Sequence, residues 1–319
     1  MSWRPTASMA ALRHRAAMLA AAREFFARGG VLEVETPILS AAAVSDPQIE
    51  SLSTRIAGLE APVYLCSSPE YAMKRLLAAG SGDIYQICKV FRDDERGRWH
   101  NPEFTLIEWY RLGFDDAALM SEVEALIGSL LSPYRRLEPA ERLSYSAALR
   151  LHAGVDAHAA SEADLSAAAL RHGIVCDADL DRDARLDLLM GLVVAPRLGL
   201  ERPCFICDYP VSQAALARLK PGPVPVAARF ELYIDGVELA NGFHELNDAV
   251  AQRARFNHEL ISRRARGQVE PPLDERLLAA LGAGLPDCAG VALGFDRLVA
   301  MALAAPRLAD AMAFTMDNA

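Results

Sequence analysis

Two runs of alternating residues, Arg229-Phe230-Glu231-Leu232-Tyr233-Ile234 and Val237-Glu238-Leu239-Ala240, are separated by Asp235-Gly236 alone. A two-residue turn needs positive φ at its centre, which Gly and Asp tolerate, and its twist matches that of paired antiparallel strands. The segment therefore predicts a hairpin in which Ile234 pairs with Val237, Tyr233 with Glu238, and Glu231 with Ala240. In that register Glu231 and Glu238 are diagonal neighbours on one face, roughly 7 to 8 Å apart along the backbone. Two carboxylates so placed can share a magnesium ion on a polyphosphate. They are equally compatible with a solvent-facing sheet.

Two further segments have the same character. Val90-Phe91-Arg92-Asp93-Asp94-Glu95-Arg96-Gly97-Arg98-Trp99-His100-Asn101-Pro102-Glu103-Phe104 and its continuation to Tyr110 read as strand, charged loop, strand. An arginine at a strand end can hold a phosphate through its planar fork, and an aromatic on the returning strand can stack on a base. A solvated charged hairpin fits the same letters. Gly290-Val291-Ala292-Leu293-Gly294-Phe295-Asp296-Arg297 reads as a strand entering a helix, with glycine allowing close approach of a ligand to the main chain.

Helical composition covers 9–28, 69–79, 115–131, 161–172, 182–194 and 249–266, the first closed by Gly29-Gly30. Strands are expected at 31–34, 63–66, 84–91, 104–110, 204–208, 229–234 and 237–240. Helices and strands do not alternate regularly, which favours an α+β fold, an antiparallel sheet flanked by helices, over a doubly wound parallel sheet. The stretch around 151–200 reads as a helical insertion within a single domain of 1–319.

Composition removes several function classes. Apolar runs are short of the ~20 residues that span a bilayer, so no membrane role is expected and a cytoplasmic setting is. The formal charge of −9 counts against gripping a long nucleic acid and so against tRNA binding. Cys204 and Cys207 form a lone CxxC on an expected strand, with no second ligand pair for zinc. No GxxxxGK[ST] loop, GxGxxG fingerprint or GxSxG elbow occurs. Nucleotide chemistry would rest on arginines and carboxylates projecting from a sheet.

Taken together, the three segments resemble the catalytic domain of class II aminoacyl-tRNA synthetases, in the lysyl branch. Gly30 to Pro37 resembles the first class motif, Phe91-Arg92 through Tyr110 the second, and Gly290 to Arg297 the third. Glu238-Leu239-Ala240-Asn241-Gly242-Phe243 with Glu245 resembles the lysyl-specific block; Ser68-Pro69-Glu70 and Phe205 to Pro210 also match that branch. The helix before the first motif begins within about ten residues of Met1, so no anticodon-binding barrel is expected ahead of it. That places the resemblance nearer to the stand-alone paralogues of the lysyl core, which attach β-lysine to a lysine side chain of elongation factor P. Ala292 points the same way, since lysyl-tRNA synthetases usually carry glycine there. Asp94 departs from the family's glutamate, and neighbouring Glu95 can stand in for it.

The resemblance implies ATP and Mg2+ as cofactors and an aminoacyl-adenylate intermediate. Arg92 and Arg297 would be the catalytic residues, holding the α- and γ-phosphates. ATP would further meet Asp93, Asp94, His100, Asn101, Phe104, Glu238, Leu239 and Gly294, with Glu231 and Glu238 on the metal. Ser68, Glu70, Tyr110, Asn241, Glu245 and Ala292 would bind (R)-β-lysine or lysine. The resemblance also implies a homodimer. A minimal tRNA-charging enzyme and an inactive regulatory paralogue are the alternatives; the acidic balance weighs against the first, and Arg92, Glu238 and Arg297 against the second.

Overall fold

The computed structural model describes residues 3–93 and 95–319, which leaves Asp94 outside the described residues. The chain forms two compact units. One comprises Met1–Gly113, Leu126–Arg135 and Asn247–Ala319, the other Phe114–Ala125 and Arg136–Leu246.

In the first unit the strand Ile84–Phe91 pairs antiparallel with Glu103–Leu112, which pairs antiparallel with Cys288–Gly294; short Leu32–Glu33 runs parallel to Ile84–Phe91. Side chains alternate between the faces of a sheet. Gln86, Glu108 and Ala292 form one cross-strand row, and Ile84, Tyr110 and Gly290 the next. Tyr85 and Trp109, of opposite parity, lie on the other face, packed on Phe26 at ring distances of 4.3 and 5.3 Å. Phe26 belongs to the helix Met9–Arg28, capped by the Ser8 side chain and closed at Gly30, whose φ of 67° suits glycine. That helix covers the back of the sheet, and the polar row occupies the front. The helix Glu70–Ala78 follows Ser68-Pro69, Glu275–Gly284 packs on it, and Phe295–Ala302 leaves directly from the end of Cys288–Gly294.

The second unit carries Val237–His244, Val226–Ile234 and Cys204–Pro210 as antiparallel neighbours, with Glu141–Ser144 parallel to Cys204–Pro210. The Asp235-Gly236 turn forms as expected, with φ of 52° and 75°. The predicted register holds for Ile234 with Val237 and Tyr233 with Glu238 only. A bulge then takes up Leu239, so Leu232 pairs with Ala240 and Glu231 with Asn241. A bulge adds one residue to one strand. Here it buries Leu239 and Ala240 side by side and turns Asn241 to the face of Glu231.

The helical insertion begins earlier than its composition suggests, with Tyr145–Ala153, and continues through Glu162–Arg171 and Arg182–Leu189 into one π-helical turn, Met190–Val194. Leu149, Leu165, Leu186, Leu189 and Val194 are fully buried there, in one core with Ile206 of the sheet. The insertion ends against the hairpin turn. Asp235 N–H donates to Gly199 O and Gly236 N–H to Leu198 O, each at 2.9 Å.

Candidate functional site

On the front of the first unit's sheet, Arg92 leaves the end of Ile84–Phe91 and lies over the Phe104 ring, 5.1 Å from its centroid. Glu95 stands 3.8 Å from Arg92 and 3.3 Å from His100 Nε2. Burial and the nearby positive charge of Arg297 push the His100 pKa down, Arg92 adding to them and Glu95 opposing. Arg92, Glu95, His100, Phe104 and Arg297 therefore gather in one place, and Glu95 occupies the acidic position that Asp94 was expected to share. Arg297 is set by its Nε, which donates to Trp99 O at 3.1 Å. Gly294 is the last residue before the helix Phe295–Ala302, whose free N–H groups favour an anion. Asp93 N–H donates to Glu50 O at 2.9 Å.

The Asn101 amide is anchored at both ends. Its Nδ2 donates to Glu103 O at 2.6 Å and its Oδ1 accepts from Met316 N–H at 3.0 Å. Both ends of the amide are used in tying the loop to the C-terminal segment.

At the other end of the row lies a buried carboxylate that the sequence reading did not single out. Glu108 is 2% exposed, and its two oxygens accept from Ser68 Oγ and Tyr110 OH, both at 2.8 Å. Burial, reinforced by the charge of Glu70, pushes its pKa up to about 8 against the pull of those two hydrogen bonds and of Lys74. Ser68 also accepts from Glu70 N–H at 3.0 Å, opening the helix that carries Glu70 and Lys74. Ala292 is the direct cross-strand neighbour of Glu108. Ser68, Glu70, Tyr110 and Ala292, all expected at a substrate amine, thus surround one carboxylate. The signal for Glu108 was present: a single acid in the apolar strand run Thr105-Leu106-Ile107-Glu108-Trp109-Tyr110.

In the second unit, Glu231 is 7% exposed, held by Arg229 Nη2 at 2.5 Å and Tyr233 OH at 2.6 Å. Arg229 stacks over Tyr209 at 4.4 Å; Glu231 and Glu238 raise its pKa against its own burial. Each Glu231 oxygen retains a second lone pair, and Glu238 lies on the same face, beside Tyr233. Two carboxylates there are the hard oxygen set that Mg2+ takes, so the residues fit that ion. Opposite Glu231, Asn241 Oδ1 is shielded from solvent and has no hydrogen-bond partner among the described residues. A buried acceptor left open in this way points to a ligand donor. Glu245 is 1% exposed, where the strand meets Ala217.

The family of class II tRNA synthetases (D, K and N) matches residues 1–318. The chain belongs to that family. Among curated class II relatives, elongation factor P–(R)-β-lysine ligases of Salmonella dublin, Salmonella arizonae and Salmonella enteritidis are each 48% identical over 324 residues, spanning 100% of this chain and 98% of theirs. As a class II family member with ligase relatives along its full length, the chain is an ATP-dependent ligase. No described helix is long and apolar enough to cross a membrane.

Proposed function

We propose that this ligase activates (R)-β-lysine, or lysine, as an aminoacyl-adenylate and transfers it to a lysine side chain of elongation factor P. The observation that carries the reading is the first unit's row of groups. Arg92 and Arg297 stand at one end, near Phe104, and at the other the buried Glu108 accepts from Ser68 and Tyr110, with Glu70 nearby.

In the first step the substrate carboxylate attacks the α-phosphorus and pyrophosphate departs. A carboxylate is already anionic at neutral pH, so the step needs positioning and charge neutralisation rather than a base. Arg92 holds the α-phosphate and Arg297 the γ-phosphate. Phe104 stacks on adenine, which requires Arg92 to yield one face of the ring. His100, Asp93 and Glu95 line the nucleotide; Asp94, assigned to it as well, lies outside the described residues. ATP further meets Asn101, Leu239 and Gly294, the last through its main chain. Glu231 and Glu238 would hold Mg2+, which supplies charge neutralisation on the polyphosphate. Glu70, Glu108 and Glu245 receive the two ammonium groups, Asn241 accepts a further N–H, and Tyr110 and Ser68 keep Glu108 oriented. In the second step a neutral acceptor amine attacks the adenylate carbonyl, AMP leaves, the amide forms and the nitrogen loses a proton.

The decisive experiment incubates the enzyme with ATP, Mg2+ and labelled (R)-β-lysine, together with either elongation factor P or tRNA. Label is expected on elongation factor P. Label on tRNA alone would replace the reading by a charging enzyme, and absence of ATP–pyrophosphate exchange by an inactive paralogue. The first-motif resemblance of Val31 to Pro37 supports a homodimer, expected to sediment at about twice 34.6 kDa. A monomer at micromolar concentration would remove that part.

A further inference from the structure

Gln86 is 4% exposed, yet its amide oxygen has no hydrogen-bond partner among the described residues. A buried acceptor is normally paired, and one left open calls for a donor from outside the chain. Gln86 stands directly opposite Glu108 in the antiparallel pair of Ile84–Phe91 with Glu103–Leu112. Opposed residues share a face and bring their Cβ atoms to about 4.5 to 5.5 Å, so the amide lies beside the buried carboxyl on the front of the sheet. Its N–H end is engaged. Burial, with the charge of Glu108 behind it, pushes the Cys88 thiol up, and a hydrogen bond from the Gln86 amide pulls it back. Each Glu108 oxygen accepts one hydroxyl, from Ser68 or Tyr110, and keeps a second lone pair. The open oxygen of Gln86 adds a further acceptor at the same place.

We propose that Gln86 is a specificity-determining residue: its amide oxygen accepts an N–H from the substrate ammonium received at Glu108. The inference rests on the reading of this pocket as the amine site. An ammonium carries three N–H donors and is held best where several acceptors converge. Gln86 supplies one of them without placing a like charge across from Glu108, an arrangement that destabilises a strand pair. It also gives the site a means of rejection. An amino acid lacking that amine leaves the buried oxygen unpaired and so loses more than one hydrogen bond. The class selected is a diamino acid, and single-amine acids of the same length are refused.

The test removes the acceptor from the enzyme and each amine in turn from the ligand. KM for (R)-β-lysine is measured in ATP–pyrophosphate exchange, with inhibition constants for 6-aminohexanoate and (R)-3-aminohexanoate, each of which keeps one of its two amines. In Gln86→Met and Gln86→Leu, KM for (R)-β-lysine is expected to rise about ten- to a hundredfold, with KM for ATP unchanged. The inhibition constant of one analogue, the one keeping the amine that Gln86 meets, should rise by a similar factor while the other stays at its wild-type value. A structural role would weaken both analogues alike; that result, or unchanged affinities throughout, would overturn the proposal. The free variants should melt no lower than wild type, because the chain itself leaves that oxygen unpaired. A lower midpoint in both would reveal a partner within the fold and overturn the proposal as well. Glu108→Gln separates the two levels. If it leaves the amino-acid KM unchanged, the pocket reading itself fails. If it raises that KM while the Gln86 variants leave every affinity unchanged, only the role of Gln86 fails.

Discussion

The two faces of the first unit's sheet treat charge under opposite rules. Behind it, Arg15 meets Asp296 at 2.5 Å and Thr105 Oγ1 at 2.9 Å, and lies over the Phe295 ring. Asp296, 2% exposed, also accepts from Thr105 N–H at 2.6 Å. One cation answers one carboxylate, and the pair ties the first helix to the strand bearing Phe104 and the helix bearing Arg297. In front, Glu108 is held by hydrogen bonds from Ser68 and Tyr110, and burial with the charge of Glu70 pushes its pKa up to about 8. The buried acid behind the sheet is met by a cation, and the one in front by two hydroxyls.

The largest effect that would break this contrast is on the back. Arg15→Met strands the Asp296 carboxylate in the interior and is expected to cost about 3 to 5 kcal/mol of stability, measured by urea unfolding. A loss under about 1 kcal/mol would mean that the back is no better balanced than the front. On the front, Arg297→Ala or Arg92→Ala should leave folding intact and lower pyrophosphate exchange at least about a hundredfold, near 2.7 kcal/mol. Near-normal exchange would detach both from the nucleotide.

Glu108→Gln sharpens the comparison through pH. The carboxyl's folded pKa of about 8 lies above its unfolded value, so the native state holds the extra proton between the two, and stability falls as pH rises through that window. The neutral variant escapes this slope. It should match wild type near pH 4.5 and exceed it by up to about 4 to 5 kcal/mol above pH 8, while losing affinity for the amino acid. Parallel stability curves would show Glu108 to be as well compensated as Asp296. The smallest effect belongs to Ala292, whose methyl stands cross-strand from Glu108. Ala292→Gly should raise kcat/KM for lysine relative to (R)-β-lysine by at least about 1 kcal/mol, the low end for one methylene-sized change. An unchanged ratio would return Ala292 to packing.

Much of this arrangement is legible in local chemistry. The Asp235-Gly236 turn, the strand Ile84–Phe91 and the start of the helix at Met9 follow from turn residues, alternation and capping, each a property of a few neighbours. The bulge at Leu239 is not, because it reflects what the two strands bury on each side rather than any preference of Leu239 itself. Glu231 was found, but Arg229, which holds it, reads as an ordinary strand-end cation until its stacking on Tyr209 is seen. Lys74 was hidden more completely. Four residues after Glu70 on a helix, the pair has the spacing of a solvated salt bridge, and only burial distinguishes the two. The strand Glu141–Ser144 and helix Tyr145–Ala153 were missed because their charged and alanine-rich letters carry little period; the core beneath them decides their structure.

Gly199 bears on how this scaffold can be re-engineered. A Cβ built there would lie 2.4 Å from Tyr233 O, with the backbone already at a φ of 69°, so no side chain is tolerated without moving the hairpin. With helices and a core of its own, the insertion invites trimming or exchange between homologues in a chimaera. Its last residues nonetheless supply the acceptors for Asp235 and Gly236 N–H, and main chain meets main chain there with no adjustable side chain between. A deletion that stops short of Leu198, or a graft that changes the chain path at Gly199, would shift the turn and with it the spacing of Glu231 and Glu238. A minimised ligase would have to keep this junction and cut elsewhere.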